Sequence, residues 1–87
     1  MADIDERLKV MGAELRMARD ELRVQMHLAK ADARDEWDRL EGKWDEFEEK
    51  WDKIEDAAED AGKDIGRALT ALGQELKAGY EKIRDAM

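Results

Sequence analysis

The chain has 87 residues, enough for one small domain, and at this size folding buries only roughly 60 to 65% of the surface the unfolded chain exposes. Sixteen basic and 24 acidic side chains give a formal charge of −8, which argues against a duplex nucleic-acid binder that must neutralise phosphates and against simple attachment to anionic membranes. The absence of cysteine excludes disulfides, thiolate metal sites and cysteine nucleophiles, and no apolar run approaches the roughly 18 to 20 residues that cross a bilayer.

Proline is also absent, and Ala, Glu, Lys, Arg, Leu and Met are abundant, so the text favours helix almost throughout. The acidic opening MADIDERLK lacks the apolar core of a signal peptide, and a cytoplasmic location is expected. From Ile4 the apolar residues step by three and four through Leu8, Met11, Leu15, Ala18, Leu22, Met26, Ala29 and Ala33. A second, shorter stripe of Val10, Met17, Val24 and Leu28 lies more than about 90° around the same helix. Two apolar faces call for two neighbours, so this segment is expected either to sit between partners or to fold back on its own chain.

Around Asp32 the charges change in the sense of one helix ending and another starting: His27 and Lys30 come before, Asp32, Asp35 and Glu36 after. Asp32 is the candidate N-cap there. Next comes WDRLEGKWDEFEEKWDKI, where Trp37, Leu40, Trp44, Phe47, Trp51 and Ile54 form a heptad-like seam whose intervening residues are all charged or glycine. Beyond it the stripe continues through Ala58, Ala61, Ile65, Leu69, Leu72, Leu76, Tyr80, Ile83 and Met87. From Ile4 to Met87 the average step is about 3.6 residues, the period of a straight α-helix, and all these positions fall within an arc of roughly 120°. Gly62 followed by Asp64 offers a second break, although Glu59 and Asp60 would then crowd a negative helix end.

The expected fold is therefore all-α, one helical domain over residues 1–87, built as an antiparallel coiled coil or a small helical bundle. A hinge near Gly62 is favoured slightly over one near Asp32, and two breaks would give an up-down-up three-helix bundle. Three indoles on one seam need small residues opposite them, because a packed core tolerates little excess volume. Ala57, Ala58, Ala61, Gly62, Gly66, Ala68 and Gly73 supply such residues. An antiparallel pairing of two copies puts Trp37 on Gly73, Trp44 on Gly66, Phe47 on Gly62 and Trp51 on Ala58, with Leu40 near Leu69. A hairpin turning at Gly62 instead places Trp51 against Gly73 and Trp44 against Tyr80. Interaction residues are thus expected at Trp37, Leu40, Trp44, Phe47, Trp51, Ile54, Ala58, Gly62, Ile65, Gly66, Leu69, Leu72 and Gly73.

Chemistry has little to work with. The acids between Asp45 and Asp60 lack the spacing of a calcium loop, and no Glu-x-x-His pair of the di-iron kind is present. They read instead as a solvated face, with Asp35–Arg39, Glu46–Lys50, Glu49–Lys53 and Glu59–Lys63 at pairing distance along the helix. His27 is the single histidine and there is no serine, so neither a metal site nor an activated hydroxyl of the usual kind is expected. No cofactor and no enzymatic activity are expected. The leading functional reading is a structural or protein-interaction module that self-associates through the tryptophan seam, with another helical protein as a further partner. The alternatives are a peripheral lipid-surface helix protein and an acidic decoy for a basic protein groove.

Overall fold

A computed structural model describes residues 6–86 as three helices: α1 Glu6–Gln25, α2 Ala31–Asp56 and α3 Glu59–Ala86, with a 3-10 turn, Met26–Leu28, closing α1. Ile4 and Met87, the ends of the expected stripe, lie outside the described residues. The chain runs up, down and up. Leu40 packs at Gly79 while Ile54 packs at Gly66, so α2 and α3 are antiparallel; Leu8 packs at Gly66 and Met11 at Gly73, so α1 and α3 run parallel.

Both candidate breaks exist, and both fall a few residues earlier than the residues that announced them. The first is at Ala29 and Lys30, whose φ and ψ of −78°, 150° and −72°, 163° are extended backbone. Lys30 holds the N-cap position of α2 without a side-chain cap, and Asp32 stands in the first turn instead, where its charge still suits the positive helix end. The carbonyls left over at the end of α1 are met locally. His27 Nδ1–H donates to Val24 O at 2.8 Å and the Arg34 guanidinium donates to His27 O at 3.1 Å.

The second break is at Ala57 and Ala58, not at Gly62, which lies in the first turn of α3 and donates its N–H to Ala58 O at 2.7 Å. A glycine that ends a helix commonly does so in left-handed backbone, but among the described residues none has a positive φ. Ala57 makes the turn in extended backbone at φ −78°, ψ 146°, a conformation open to any residue. The displacement also resolves the charge conflict at Gly62. Asp60 now falls in the first turn of α3, where an acid is favoured, and not in the last turn of α2.

One core joins the three helices, and every member of it belongs to the long stripe: Leu8, Leu15 and Leu22 from α1, Leu40, Trp44, Phe47 and Ile54 from α2, and Leu69, Leu72, Leu76, Tyr80 and Ile83 from α3. Leu40, Leu69 and Leu76 are fully buried, sites where truncation to alanine typically removes about 2 to 5 kcal/mol. Of the ion pairs expected along the helices, Glu49–Lys53 forms at 3.1 Å, whereas Arg39 turns to Glu36 and not to Asp35. Longer-range pairs tie the helices together: Arg19–Glu41 at 2.8 Å and Lys43–Glu75 at 2.6 Å.

Glycine positions separate into those the packing needs and those it does not. A Cβ on Gly79 would stand 2.5 to 3.0 Å from three atoms of fully buried Leu40, including its branching Cγ, so α3 can approach α2 there only without a side chain. At exposed Gly42 nothing lies within 4 Å of the same position. Gly42→Ala should therefore stabilise the bundle by about 0.5 to 1 kcal/mol through helix propensity. Gly79→Ala should destabilise it by about 1 to 3 kcal/mol through overpacking. Thermal melts of the two variants beside the parent chain check both signs.

Candidate helix-docking site

The residues expected to form an interface between copies are gathered inside one chain. Trp44 is 2% exposed and stacks on Phe47 with ring centroids 5.4 Å apart, and Phe47 in turn stacks on Trp51 at 5.8 Å. Trp37 leans on Tyr80 at 6.0 Å, and Trp37, Trp51 and Ile65 pack as partly buried members around the core. Leu69 and Leu72 are core residues of α3, while Ala58 is exposed at the link between α2 and α3.

The glycine pairings differ from the expected registers. Gly73 lies under Met11 and not under a tryptophan. Gly66 would place a Cβ 3.8 Å from Ile54 and Leu8, an ordinary packing distance, and Gly62 would place one in open space. The small residue that receives Trp51 is Gly12, whose Cβ position is 3.4 Å from the indole. Gly12 and Gly79 are the two positions that sequence reasoning missed. The signal that could have found them was the same rule of small against large, applied also to glycines outside the alanine-rich stretch.

A polar cluster closes the middle of the bundle. Arg19 makes two hydrogen bonds to the Glu41 carboxylate, at 2.8 and 2.9 Å, and its guanidinium stands 5.3 Å from the centre of the Trp44 ring. The hydrogen bonds to Glu41 raise the Arg19 pKa above its ordinary value, although burial opposes this. Next to this pair, Trp44 Nε1 and Tyr80 Oη are buried with no hydrogen-bond partner. Burial pushes the Tyr80 phenol far above its ordinary range, Glu41 adds to the rise, and Arg19 works against it. The cluster fastens α1 to α2 and fills space at the centre of the bundle.

What remains outside is the second stripe. Val10 is 53% exposed, Met17 and Val24 are each 71% exposed and Leu28 is 75% exposed, the large apolar side chains that the bundle leaves in solvent. Val10, Met17 and Val24 are spaced by sevens on the side of α1 facing away from Leu8, Leu15 and Leu22. They form a ridge about 21 Å long at 1.5 Å per residue. Exposed Glu14 and Glu21 line its flank toward α3, and exposed Lys9, Arg16 and Arg23 line its flank toward α2. Glu21 also approaches Arg84 of α3 at 3.7 Å. Among the described residues no group of three or more His, Asp and Glu is placed to hold a metal ion, and no helix is long and apolar enough to cross a membrane.

No family model, curated protein or solved structure matches this chain. Its geometry therefore carries the functional reading.

Tyr80 is the chain's single tyrosine, so its titration can be isolated. Its folded pKa lies above the ordinary 10.0, so below that pH the phenol is neutral in both states; as pH rises past it the unfolded chain releases a proton that the folded chain keeps, and stability falls. Tyr80→Phe should lack this component of alkaline destabilisation. At neutral pH it should equal the parent or exceed it by up to about 1 kcal/mol, because an unpartnered buried hydroxyl is removed. Denaturant unfolding of both proteins across the alkaline range measures the difference.

Proposed function

We propose that this chain is a non-enzymatic interaction module, a three-helix bundle that self-associates by helix-to-helix docking on the outward face of α1. The observation that carries this reading is the heptad-spaced ridge of Val10, Met17 and Val24, exposed in a chain whose other apolar stripe is covered. Exposed single apolar residues are ordinary, but three on one helix face repeating every seven residues, with charged borders, have the spacing of a helix-docking surface. The tryptophan seam first expected to serve as the interface is used for internal packing, so the docking role passes to α1. A peripheral lipid-binding role has less support, since Trp44 and Phe47 are buried and Trp37 and Trp51 pack against the core, away from any interfacial aromatic belt.

Sedimentation equilibrium tests the reading. The parent chain should show a mass that rises above 10.1 kDa with concentration. The double variant Met17→Glu, Val24→Glu should stay at monomer mass, with its helical circular dichroism intact and its stability within about 0.5 kcal/mol of the parent, because both side chains point into solvent. A parent chain that remains monomeric at every concentration sinks self-association.

A further inference from the structure

We infer that the second copy docks parallel and in register, α1 against α1, around a two-fold axis running along the helices. This rests on the reading of α1 as the docking face and adds the orientation of its occupant. The basis is the asymmetry of the ridge's two borders. With Val10 as origin on a helical wheel of about 100° per residue, Glu21 and Glu14 lie at about +20° and +40°, and Lys9, Arg16 and Arg23 at about −100° to −140°. One border is acidic and the other basic. Glu6 at about −40° and Asp20 at about −80°, on the ridge side of the basic border, and Arg7 at about +60°, beside the acidic one, are the exceptions.

Symmetry then decides the orientation. In a parallel two-fold pair the plus flank of one helix adjoins the minus flank of the other, so acid meets base on both sides of the ridge. In an antiparallel pair like flanks adjoin, setting Glu14 and Glu21 against their own kind and Lys9, Arg16 and Arg23 against theirs. With Val10, Met17 and Val24 at successive a positions, Lys9 and Arg16 occupy g and Glu14 and Glu21 occupy e. The pairs Lys9 to Glu14 and Arg16 to Glu21 of the second copy are the g-to-e contacts that set orientation in parallel coiled coils. The d positions of the same frame fall at Ala13 and Asp20, so the a residues alone carry the apolar contact, and their strict sevenfold spacing suits the left-handed winding of a pair. The covered stripe, at about 3.6 residues per step, has the period of straight helices instead. Among the described residues the approach is open, because α2 and α3 pack on the opposite side of α1.

The absence of native cysteine allows a direct test in the full chain. Val10→Cys and Val24→Cys are oxidised separately and as a mixture, with Asp38→Cys on exposed α2 surface measuring collisional disulfides. A parallel pair brings each introduced cysteine against its own copy, within disulfide reach, while residues 10 and 24 stay about 21 Å apart. Each single variant should then cross-link efficiently alone, and mixing should produce no heterodisulfide between the two positions above the collisional level. A dimer in which only the mixture cross-links overturns the parallel orientation and leaves the docking face standing. A chain at monomer mass throughout, with cross-linking no greater than Asp38→Cys, overturns the second copy as occupant. Co-flotation of that monomer with phosphatidylcholine vesicles, lost in Met17→Glu, would assign the ridge to lipid. As a second readout, Lys9→Glu with Arg16→Glu reverses the two basic positions that face Glu14 and Glu21 and should raise the dimer dissociation constant about tenfold or more at low salt. An unchanged constant also overturns the parallel pairing.

Discussion

The constraint on which the bundle depends is the volume of the aromatic row on α2. Trp44, Phe47 and Trp51 stack along the helix and cannot be covered by a surface of uniform side chains. Two helices share the task, and each brings a glycine to its contact with α2. Gly12 on α1 receives the Trp51 indole, and Gly79 on α3 lets fully buried Leu40 reach its backbone. The remaining misfit is polar and not steric: Trp44 Nε1 and Tyr80 Oη enter the core without partners beside the Arg19–Glu41 pair. An orphaned buried donor is a cost of order 1 kcal/mol or more, tolerated because the rings bring so much apolar area with them.

The core was legible in the sequence, and the places where the chain turns were less so. Every core residue belongs to the three-and-four stripe, because burial on one side of a helix leaves a periodic trace regardless of connectivity. Periodicity does not record where a helix stops, since the stripe keeps phase through both links. The cues for the breaks were chemical ones, Asp32 as a cap and Gly62 as a helix-ending glycine, and the turns use neither. Ala29, Lys30 and Ala57 simply adopt extended backbone. The glycine registers failed for a related reason. Spacing arithmetic matches one helix against one other, and Gly73 is occupied by Met11 of a third element.

The candidate site was legible only as a puzzle. Val10, Met17, Val24 and Leu28 stood out as an extra apolar face, while the tryptophans drew the functional reading toward the seam. Aromatic size marks where packing energy is concentrated, and in a chain of this length that energy goes first to holding the fold. What is left for interaction is the modest row that the fold does not require. Its exposure of 53% to 75% distinguishes it from the core more sharply than residue type does.

The unbroken phase of the stripe across Ala57 and Ala58 also bears on how this chain can be exchanged between molecules. Straightening that link would join α2 and α3 into a single rod with its apolar face still on one side, so nothing in the pattern opposes the open form. Two such rods laid antiparallel would rebuild the contacts of Leu40 with Gly79 and of Ile54 with Gly66 between chains, with each α3 completing the other's bundle. Such a domain swap would keep the native packing and alter only the backbone of a two-residue link, the condition under which swapped and closed forms lie close in free energy.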